Sequence, residues 1–216
     1  MIRPGEEWGS PSASAPDLEV SGTDAALARA VTGAPGALVR FHPDATSDLA
    51  RAVGLGSGEV HGTALPLDVL ALTDGTVACN MLVIGTPPDR LRWSSPALDL
   101  EIQLDGKLWF AGHATTVVIA IGQFLRGFDV VPRGHPGDGK AEIQVYDLRR
   151  PERRLMRARL ATGGHVPHPR IRQRAAALIR LEACPPAPAE VDAEARPEVT
   201  SLTTIHVLPG AYRLLV

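Results

Sequence analysis

The apolar positions between residues 17 and 57 alternate between short strand-like runs and segments with helical spacing. Leu18–Val20 and Ala37–Phe41 are compact apolar runs of the kind that form buried strands. Asp24–Val31 and Asp48–Val53 follow them, and their apolar residues recur about one helical turn apart. The order strand, helix, strand, helix predicts parallel strand pairing and therefore a small α/β unit.

After Gly58 the pattern changes to the two-residue period of strands. Leu98–Leu104 alternates apolar and polar residues without an error, and Ile171–Glu182 keeps its apolar residues on one parity, which favours one long strand. The other predicted strands are Pro66–Leu72, Thr76–Gly85, Lys107–Ala111, Thr115–Ile121, Ala141–Tyr146 and a final hairpin of Val199–Leu208 and Ala211–Val216 around Pro209-Gly210. Mostly antiparallel strands at this spacing predict a β-sandwich, so the expected fold class is α+β.

Composition and charge narrow the functional classes. The chain has 216 residues, of which 44% are hydrophobic and 21% charged, and its net charge is −2. This balance gives no reason to expect a nucleic-acid partner. Cys79 and Cys184 are too few for a disulfide framework or a four-thiolate metal site. Residues 1–16 are expected to form a disordered leader, and no run reaches the ~18–20 apolar residues of a membrane span. We therefore expect a cytoplasmic protein.

Two helix starts are candidate sites for a phosphate group. Gly22, Thr23 and Asp24 lead from the first strand into the first helix, where backbone N–H groups converge and the helix dipole favours an anion. Thr46 or Ser47 can cap the second helix. The same residues also fit plain helix starts, with Asp24 as an acid that the dipole favours, so both interpretations stay open.

Two later segments carry acidic residues in turns. Gly127–Glu142 is rich in Gly and Pro, lies between two predicted strands and contains Asp138 in a Pro-Gly-Asp-Gly turn. Asp192 and Glu194 lie before the predicted terminal hairpin. An Asp-Gly pair is typical of an ordinary turn, and an isolated acidic pair is usually solvated, so these structural interpretations remain alternatives to a functional one.

Taken in order, these segments resemble the diacylglycerol-kinase family of lipid kinases. That family has Gly-Gly-Asp-Gly-Thr followed by Leu at the first turn, and Gly22, Asp24 and Leu27 agree with it. Its pattern Pro-x-Gly-Thr-x-Asn-Asp-Leu/Phe-Ala-Arg resembles Pro43–Leu55, with one residue missing. The resemblance covers nearly the whole chain after residue 20.

The resemblance implies an NAD-kinase-like fold. A truncated, Rossmann-like α/β nucleotide-binding domain would span residues 17–57, and a β-sandwich domain would span residues 58–216. Family members have a further strand-helix block before the first turn. The short parallel sheet is therefore expected to have an exposed edge, which a homodimer could cover.

The resemblance also implies roles for individual residues. In the family an Asp-Asp-Gly loop helps to hold a divalent ion, and an Asp-Gly-Glu segment supplies the general base for the lipid hydroxyl. The implied residues are Asp192 and Glu194 for catalysis, with Asp192 as the base, Asp138 for the metal, and Gly22, Thr23, Asp24, Thr46 and Ser47 for the nucleotide phosphates. We therefore expect Asp24 and Asp192 to face each other across one crevice.

The resemblance leaves two functions open. The first is a lipid kinase that uses ATP and Mg²⁺ to phosphorylate a lipid hydroxyl. The second is a non-catalytic lipid- or protein-binding relative, a pseudokinase. It is suggested because Thr23, Ala25 and Ala26 replace the family's Gly, Gly and Thr, and the added β-carbons crowd the phosphate position.

An Arg-rich span suggests a membrane partner. Ten arginines lie between Arg149 and Arg180, and five of them fall in the predicted helix Arg150–Ala161. An anionic membrane surface would attract such a patch, so we expect peripheral contact with the inner membrane face. A solvated helix face is the alternative interpretation.

Overall fold

The computed structural model describes residues 8–55, 62–199 and 202–216. The helices in this part of the chain are α1 (Asp24–Thr32), α2 (Asp48–Val53) and α3 (Arg150–Arg159). The strands are β1 (Ser10–Pro11), β2 (Leu18–Gly22), β3 (Leu38–Pro43), β4 (Thr63–Leu72), β5 (Val77–Ala78), β6 (Met81–Gly85), β7 (Leu98–Leu104), β8 (Lys107–Ala114), β9 (Thr116–Ala120), β10 (Phe124–Leu125), β11 (Phe128–Asp129), β12 (Ala141–Tyr146), β13 (Ile171–Ala176), β14 (Leu178–Cys184), β15 (Ala187–Val191), β16 (Glu194–Val199) and β17 (Leu202–Leu215). Among the described residues, no helix combines the length and the apolar character of a membrane span.

Two large sheets enclose the main core. The main path of the first sheet runs β1-β4-β17-β14-β7-β8, and the second sheet runs β13-β12-β9-β6-β15-β16. One apolar cluster takes side chains from both sheets, including Leu70, Ile102, Ile179, Leu82, Ile119 and Ile143. Alternation in β7 and β12 supplies this layer, because every second side chain of a strand points to the same face. The α+β class with a large antiparallel sandwich is therefore confirmed.

The α/β part extends the first sheet. β2 pairs in parallel with β3, and β3 pairs in parallel with the end of β17. α1 and α2 cover these strands through a second cluster that includes Leu27, Leu49, Val39 and Phe41. Ser47 caps α2, whose end is set by Gly54 in the left-handed conformation. The predicted domain boundary at residue 57 falls within residues 56–61, outside the described residues, and stays a prediction.

The predicted terminal hairpin is wrong. β17 continues through Pro209 and Gly210, and it pairs with β4 on both sides of them, with only a shift of register. The carboxylate of Asp68 on β4 accepts the Gly210 N–H at 2.9 Å and the Gly139 N–H at 2.7 Å. Pro-Gly therefore forms a bulge inside one long strand, because a buried acid from a distant segment satisfies the backbone there.

The single long strand predicted for Ile171–Glu182 is also wrong. β13 pairs with β12 in the second sheet, whereas β14 pairs with β7 and β17 in the first sheet. The chain crosses between the sheets at Ala177. The alternation of Ile171, Ile179 and Leu181 is compatible with both segments, since periodicity identifies a strand but does not choose its partner.

Part of the expected disordered leader is ordered. β1 pairs with β4, and the indole N–H of Trp8 donates to the Pro66 carbonyl at 3.3 Å. The centre of the Trp8 ring also lies 4.6 Å from the centre of the His135 ring. A Trp ring that packs against the sheet offsets the ordering cost of a Ser- and Pro-rich segment. β1 pairs with the start of β4, and the outer edge of β2 has no strand partner among the described residues.

Candidate functional site

A cavity of about 350 Å³ lies between the N-termini of α1 and α2 and the turn that joins β15 to β16. It is lined by Thr23, Asp24, Ala45, Thr46, Ser47, Asp48, Arg51, Arg126, Gly127, Asp192, Ala193 and Glu194. Six of the predicted site residues are thus brought together, and Asp24 and Asp192 share one crevice as expected. Gly22 and Asp138 do not line this cavity.

Asp24 belongs to the first turn of α1 but binds the N-terminus of α2. Its carboxylate accepts three hydrogen bonds: one from the Ser47 hydroxyl, one from the Asp48 N–H at 3.0 Å and one from the Leu49 N–H at 2.9 Å. Burial raises the pKa of Asp24, and the hydrogen bonds, led by that from Ser47, lower it in part. An anion is expected at a helix N-terminus, and here the chain supplies its own.

The carboxylate of Asp48 likewise binds backbone N–H groups, in this case those of the turn between β10 and β11. It accepts the backbone N–H groups of Arg126 and Gly127, the latter at 2.7 Å. Burial raises the pKa of Asp48, and the Gly127 N–H lowers it in part. Both turn residues have positive φ, so their N–H groups point to one side and form an anion-binding concavity.

Asp192 fills a third group of backbone donors. Its carboxylate accepts the N–H groups of Cys79 at 2.8 Å, Asn80 at 2.9 Å and Met81 at 3.0 Å. The strand predicted over Thr76–Gly85 is broken at Cys79 and Asn80, which lie between β5 and β6, and Met81 is the first residue of β6. Burial raises the pKa of Asp192 to about 7, although the three N–H groups oppose the shift.

Arg126 is a cavity residue that the sequence analysis missed. Its guanidinium donates to Asp89 at 2.6 and 2.9 Å and to Glu190 at 2.6 Å. The side chains of Asp89 and Glu190 are nearly buried, so this is an interior ion-pair network. Arg126-Gly127 between Leu125 and Phe128 is a turn signal, but it gives no indication of the acids that the Arg126 side chain meets.

The remaining predicted residues have local roles. Thr23 caps α1 by accepting the Ala26 N–H at 3.2 Å, and its hydroxyl donates to Glu194 at 3.3 Å. Glu194 also pairs with Arg29 at 3.1 Å, in an exposed position where an ion pair contributes little stability. Thr46 donates its N–H and its hydroxyl to Asp44, at 2.8 and 2.6 Å. Each hydroxyl is thus already hydrogen-bonded within the chain.

Asp138 lies in a separate turn. Its carboxylate accepts the Lys140 N–H at 3.0 Å, and Gly137 beside it packs against Trp8. Within residues 8–55, 62–199 and 202–216, no group of three or more His, Cys, Asp or Glu side chains is arranged to hold a metal ion. The metal role of Asp138 stays a prediction.

The turn that presents Asp192 is strained at Ala193. Asp192 and Ala193 have φ values of 48° and 65° between the paired residues Val191 and Glu194, as in a two-residue hairpin of type I′. Ala193→Gly is expected to raise the free energy of unfolding by roughly 0.5–1 kcal/mol, because glycine avoids the left-handed penalty at a smaller entropic cost. Denaturant unfolding measures the change. The control Ala195→Gly, in strand β16, should lower stability, and a loss in both variants would contradict the strain.

Comparison with known proteins places the chain by fold and then by family. It shares the fold of a diacylglycerol kinase from Bacillus anthracis str. Sterne, at 17% identity and a TM-score of 0.73, with 92% of this chain and 77% of that chain covered. Yeast NADH kinase complexed with NADH is also similar, at 14% identity and a TM-score of 0.55, over 93% of this chain and 61% of that one. No curated protein matches.

A family model identifies the larger part of the chain. The model described as the YegS C-terminal NAD kinase beta sandwich-like domain matches residues 91–216, which is more than half of the sequence. The chain therefore belongs to the family of YegS C-terminal NAD kinase beta sandwich-like domains. Together with the similar diacylglycerol-kinase structures, this confirms the family that the motifs suggested.

Proposed function

We propose that this chain is a non-catalytic member of its lipid-kinase family, and that the cavity binds a hydroxyl-bearing lipid without transferring phosphate to it. One observation carries the proposal. The backbone donors at the start of α2, a candidate phosphate site, are occupied by Asp24, and the donors of two neighbouring segments are occupied by Asp48 and Asp192. A polyphosphate bound at the start of α2 would have to displace Asp24 from its hydrogen bonds.

The charges around the cavity lead to the same conclusion. Four acidic side chains line it, and of its two arginines Arg126 is already paired with Asp89 and Glu190. Arg51 lies over the ring of Phe124, 5.7 Å from its centre. Nucleotide phosphates are usually held by free backbone donors and cations. The residues present therefore do not fit ATP with Mg²⁺, and no transfer step is derived from them.

The lining suits a ligand that donates hydrogen bonds. Carboxylate oxygens accept hydrogen bonds from hydroxyl or ammonium groups. A cavity of about 350 Å³ is at the lower end of the usual size of small-molecule sites, so it would hold a head group more readily than a whole lipid. One of the similar solved structures is a diacylglycerol kinase, and diacylglycerol carries a free hydroxyl.

The kinase itself is the second candidate, and one observation favours it. Asp192 lies on the cavity wall, and burial raises its pKa to about 7. A general base works best when its pKa is close to the working pH, so this carboxylate suits proton removal from a lipid hydroxyl. The kinase would need the nucleotide to be held mainly by groups other than the cavity residues described above.

Thermal unfolding with two probes separates the candidates. Dioctanoylglycerol in detergent micelles is expected to raise the melting temperature, because a ligand of the folded state stabilises it by mass action. Millimolar Mg·ATP is expected to leave it unchanged. A higher melting temperature with Mg·ATP would contradict the non-catalytic proposal. An unchanged melting temperature with dioctanoylglycerol would show that this lipid is not the ligand.

A transfer assay is the direct control. Incubation with labelled ATP, Mg²⁺ and dioctanoylglycerol is expected to give no labelled lipid above the blank without protein. Labelled lipid that disappears with Asp192→Asn would instead establish the kinase with Asp192 as its base. Glu182→Gln changes an exposed acid of β14 that does not line the cavity, and it should behave like the unaltered protein in either case.

A further inference from the structure

Two large apolar side chains are exposed on the same face of the molecule. Trp93 is 61% exposed in the segment that follows Leu91, and Leu155 is 56% exposed on α3. The guanidinium of Arg150 lies over the Trp93 ring, 5.9 Å from its centre, so the segment and the helix form one surface. Side chains of this size are costly to leave in water, and an apolar patch bordered by charge usually marks an interaction site.

The exposed face of α3 has an ordered arrangement. At 100° per residue, Pro151, Leu155 and Ala158 fall within about 60° of one another around α3, and exposed arginines flank this apolar stripe on both sides. Arg150 and Arg154 lie on one side, and Arg159 lies on the other. Met156 and Leu160 face the interior. An apolar stripe bordered by arginines, two on one side and one on the other, is typical of a helix that lies in the plane of a membrane surface.

The arginines of α3 divide into two groups. Arg153 is buried and donates to the carbonyls of Leu148, Arg92, Trp93 and Ser95, at 2.9–3.3 Å. Arg157 donates to the Leu91 carbonyl at 2.9 Å. These two residues fix the Trp93 segment to the helix. The sequence analysis treated all five helical arginines alike, whereas only Arg150, Arg154 and Arg159 are exposed.

Within the described part of the chain, the exposed arginines of α3 and Arg92 have no acidic ion-pair partner. No carboxylate among the described residues lies within ion-pair distance of Arg92, Arg150, Arg154 or Arg159. The one acid of α3, Glu152, accepts the Arg149 N–H at 2.7 Å instead. The whole chain has a net charge of −2, so this positive charge is concentrated locally. Its complement is a negatively charged surface.

We propose that Arg92, Trp93, Arg150, Arg154, Leu155 and Arg159, here called the Arg–Trp patch, dock on an anionic lipid bilayer. Trp93 and Leu155 enter the boundary between head groups and acyl chains, and the four arginines contact anionic head groups. A nucleic acid would use the arginines but would gain nothing from the exposed Leu155. The patch is separate from the cavity, so its role does not depend on the ligand proposed there.

Vesicle flotation tests the patch. The protein is expected to float with vesicles of phosphatidylcholine and phosphatidylglycerol and to remain behind with phosphatidylcholine alone. The combined variant Arg150→Glu, Arg154→Glu, Arg159→Glu is expected to bind the anionic vesicles at least about 100-fold more weakly, since each arginine near such a surface contributes about fivefold. Trp93→Ser with Leu155→Ser should also weaken binding, without changing the charge.

A charge-matched control separates the patch from net charge. Arg172→Glu, Arg174→Glu, Arg180→Glu makes the same change on strands β13 and β14 and should retain most of the binding. Equal losses in both triple variants, or no flotation of the unaltered protein, would overturn the proposal. Binding to duplex DNA that depends on the α3 arginines but not on Trp93 and Leu155 would overturn it too, in favour of a nucleic-acid surface. Circular dichroism confirms that each variant is folded, and the Trp93 and Leu155 variant supplies the test if a charge-reversed chain is not.

Discussion

Asp24→Ala is expected to lower the free energy of unfolding by about 3–5 kcal/mol, because the substitution leaves three donors in the interior without their acceptor. The donors are the Ser47 hydroxyl and the backbone N–H groups of Asp48 and Leu49. They hold the start of α2 against the first turn of α1. Urea unfolding at neutral pH, followed by circular dichroism, measures the loss.

Two comparisons make this test specific. Asp24→Asn should cost less than Asp24→Ala, since its oxygen can accept both N–H groups while its NH₂ faces the Ser47 oxygen. Asp44→Ala removes an exposed carboxylate that accepts two hydrogen bonds from Thr46 on the same loop, and it should change stability little. If Asp24→Ala were as mild as Asp44→Ala, the buried carboxylate would not be what joins the two helices.

The elements that the sequence predicted correctly are those with local signals. β7 and β12 have the predicted bounds because strict alternation identifies a half-buried strand from its own residues. α2 also has its predicted bounds, since Ser47 supplies a capping oxygen and Gly54 adopts the left-handed conformation that ends a helix. In each case the required groups lie within a few residues of the element.

The errors occur where a distant residue determines the local structure. The Pro209-Gly210 segment was read as a hairpin turn, but Asp68 binds Gly210 from 142 positions away and keeps the strand continuous. Trp8 orders a leader whose composition predicts disorder, through contacts with Pro66 and His135. Periodicity and turn signals contain no information on such partners.

In the candidate site too, the sequence predicted which residues come together but not the distant contacts that they make. The motifs placed Asp24, Ser47, Asp192 and Glu194 in a shared cavity, because their order along the chain follows a known family. The sequence does not show that each carboxylate is used internally, since the donors of Asp192 are backbone groups 111–113 positions away. A family motif can therefore place a residue correctly and leave open whether it is free to act.

Arg126→Ala is expected to lower the free energy of unfolding by about 3–5 kcal/mol, because the substitution leaves the nearly buried Asp89 without its bidentate partner and leaves Glu190 with only the exposed Arg90. Arg126 gives Asp89 two hydrogen bonds and Glu190 one. Arg126→Lys should recover only part of the loss, since an ammonium group cannot reproduce the bidentate contact with Asp89. Chemical unfolding of both variants gives the two values.

Arg90→Ala is the matched control, because Arg90 donates to the same Glu190 at 2.8 Å but its side chain is 57% exposed. It should cost at most about 1 kcal/mol, as exposed ion pairs do. Equal losses for Arg90 and Arg126 would mean that burial of the network is not decisive. Arg126 directs its backbone N–H to Asp48 and its side chain to acids held by the sandwich, so one residue joins the start of α2 to those acids, and the alanine substitution removes the side-chain half of the connection. Loss of that connection is expected to loosen the cavity wall before the sandwich core unfolds.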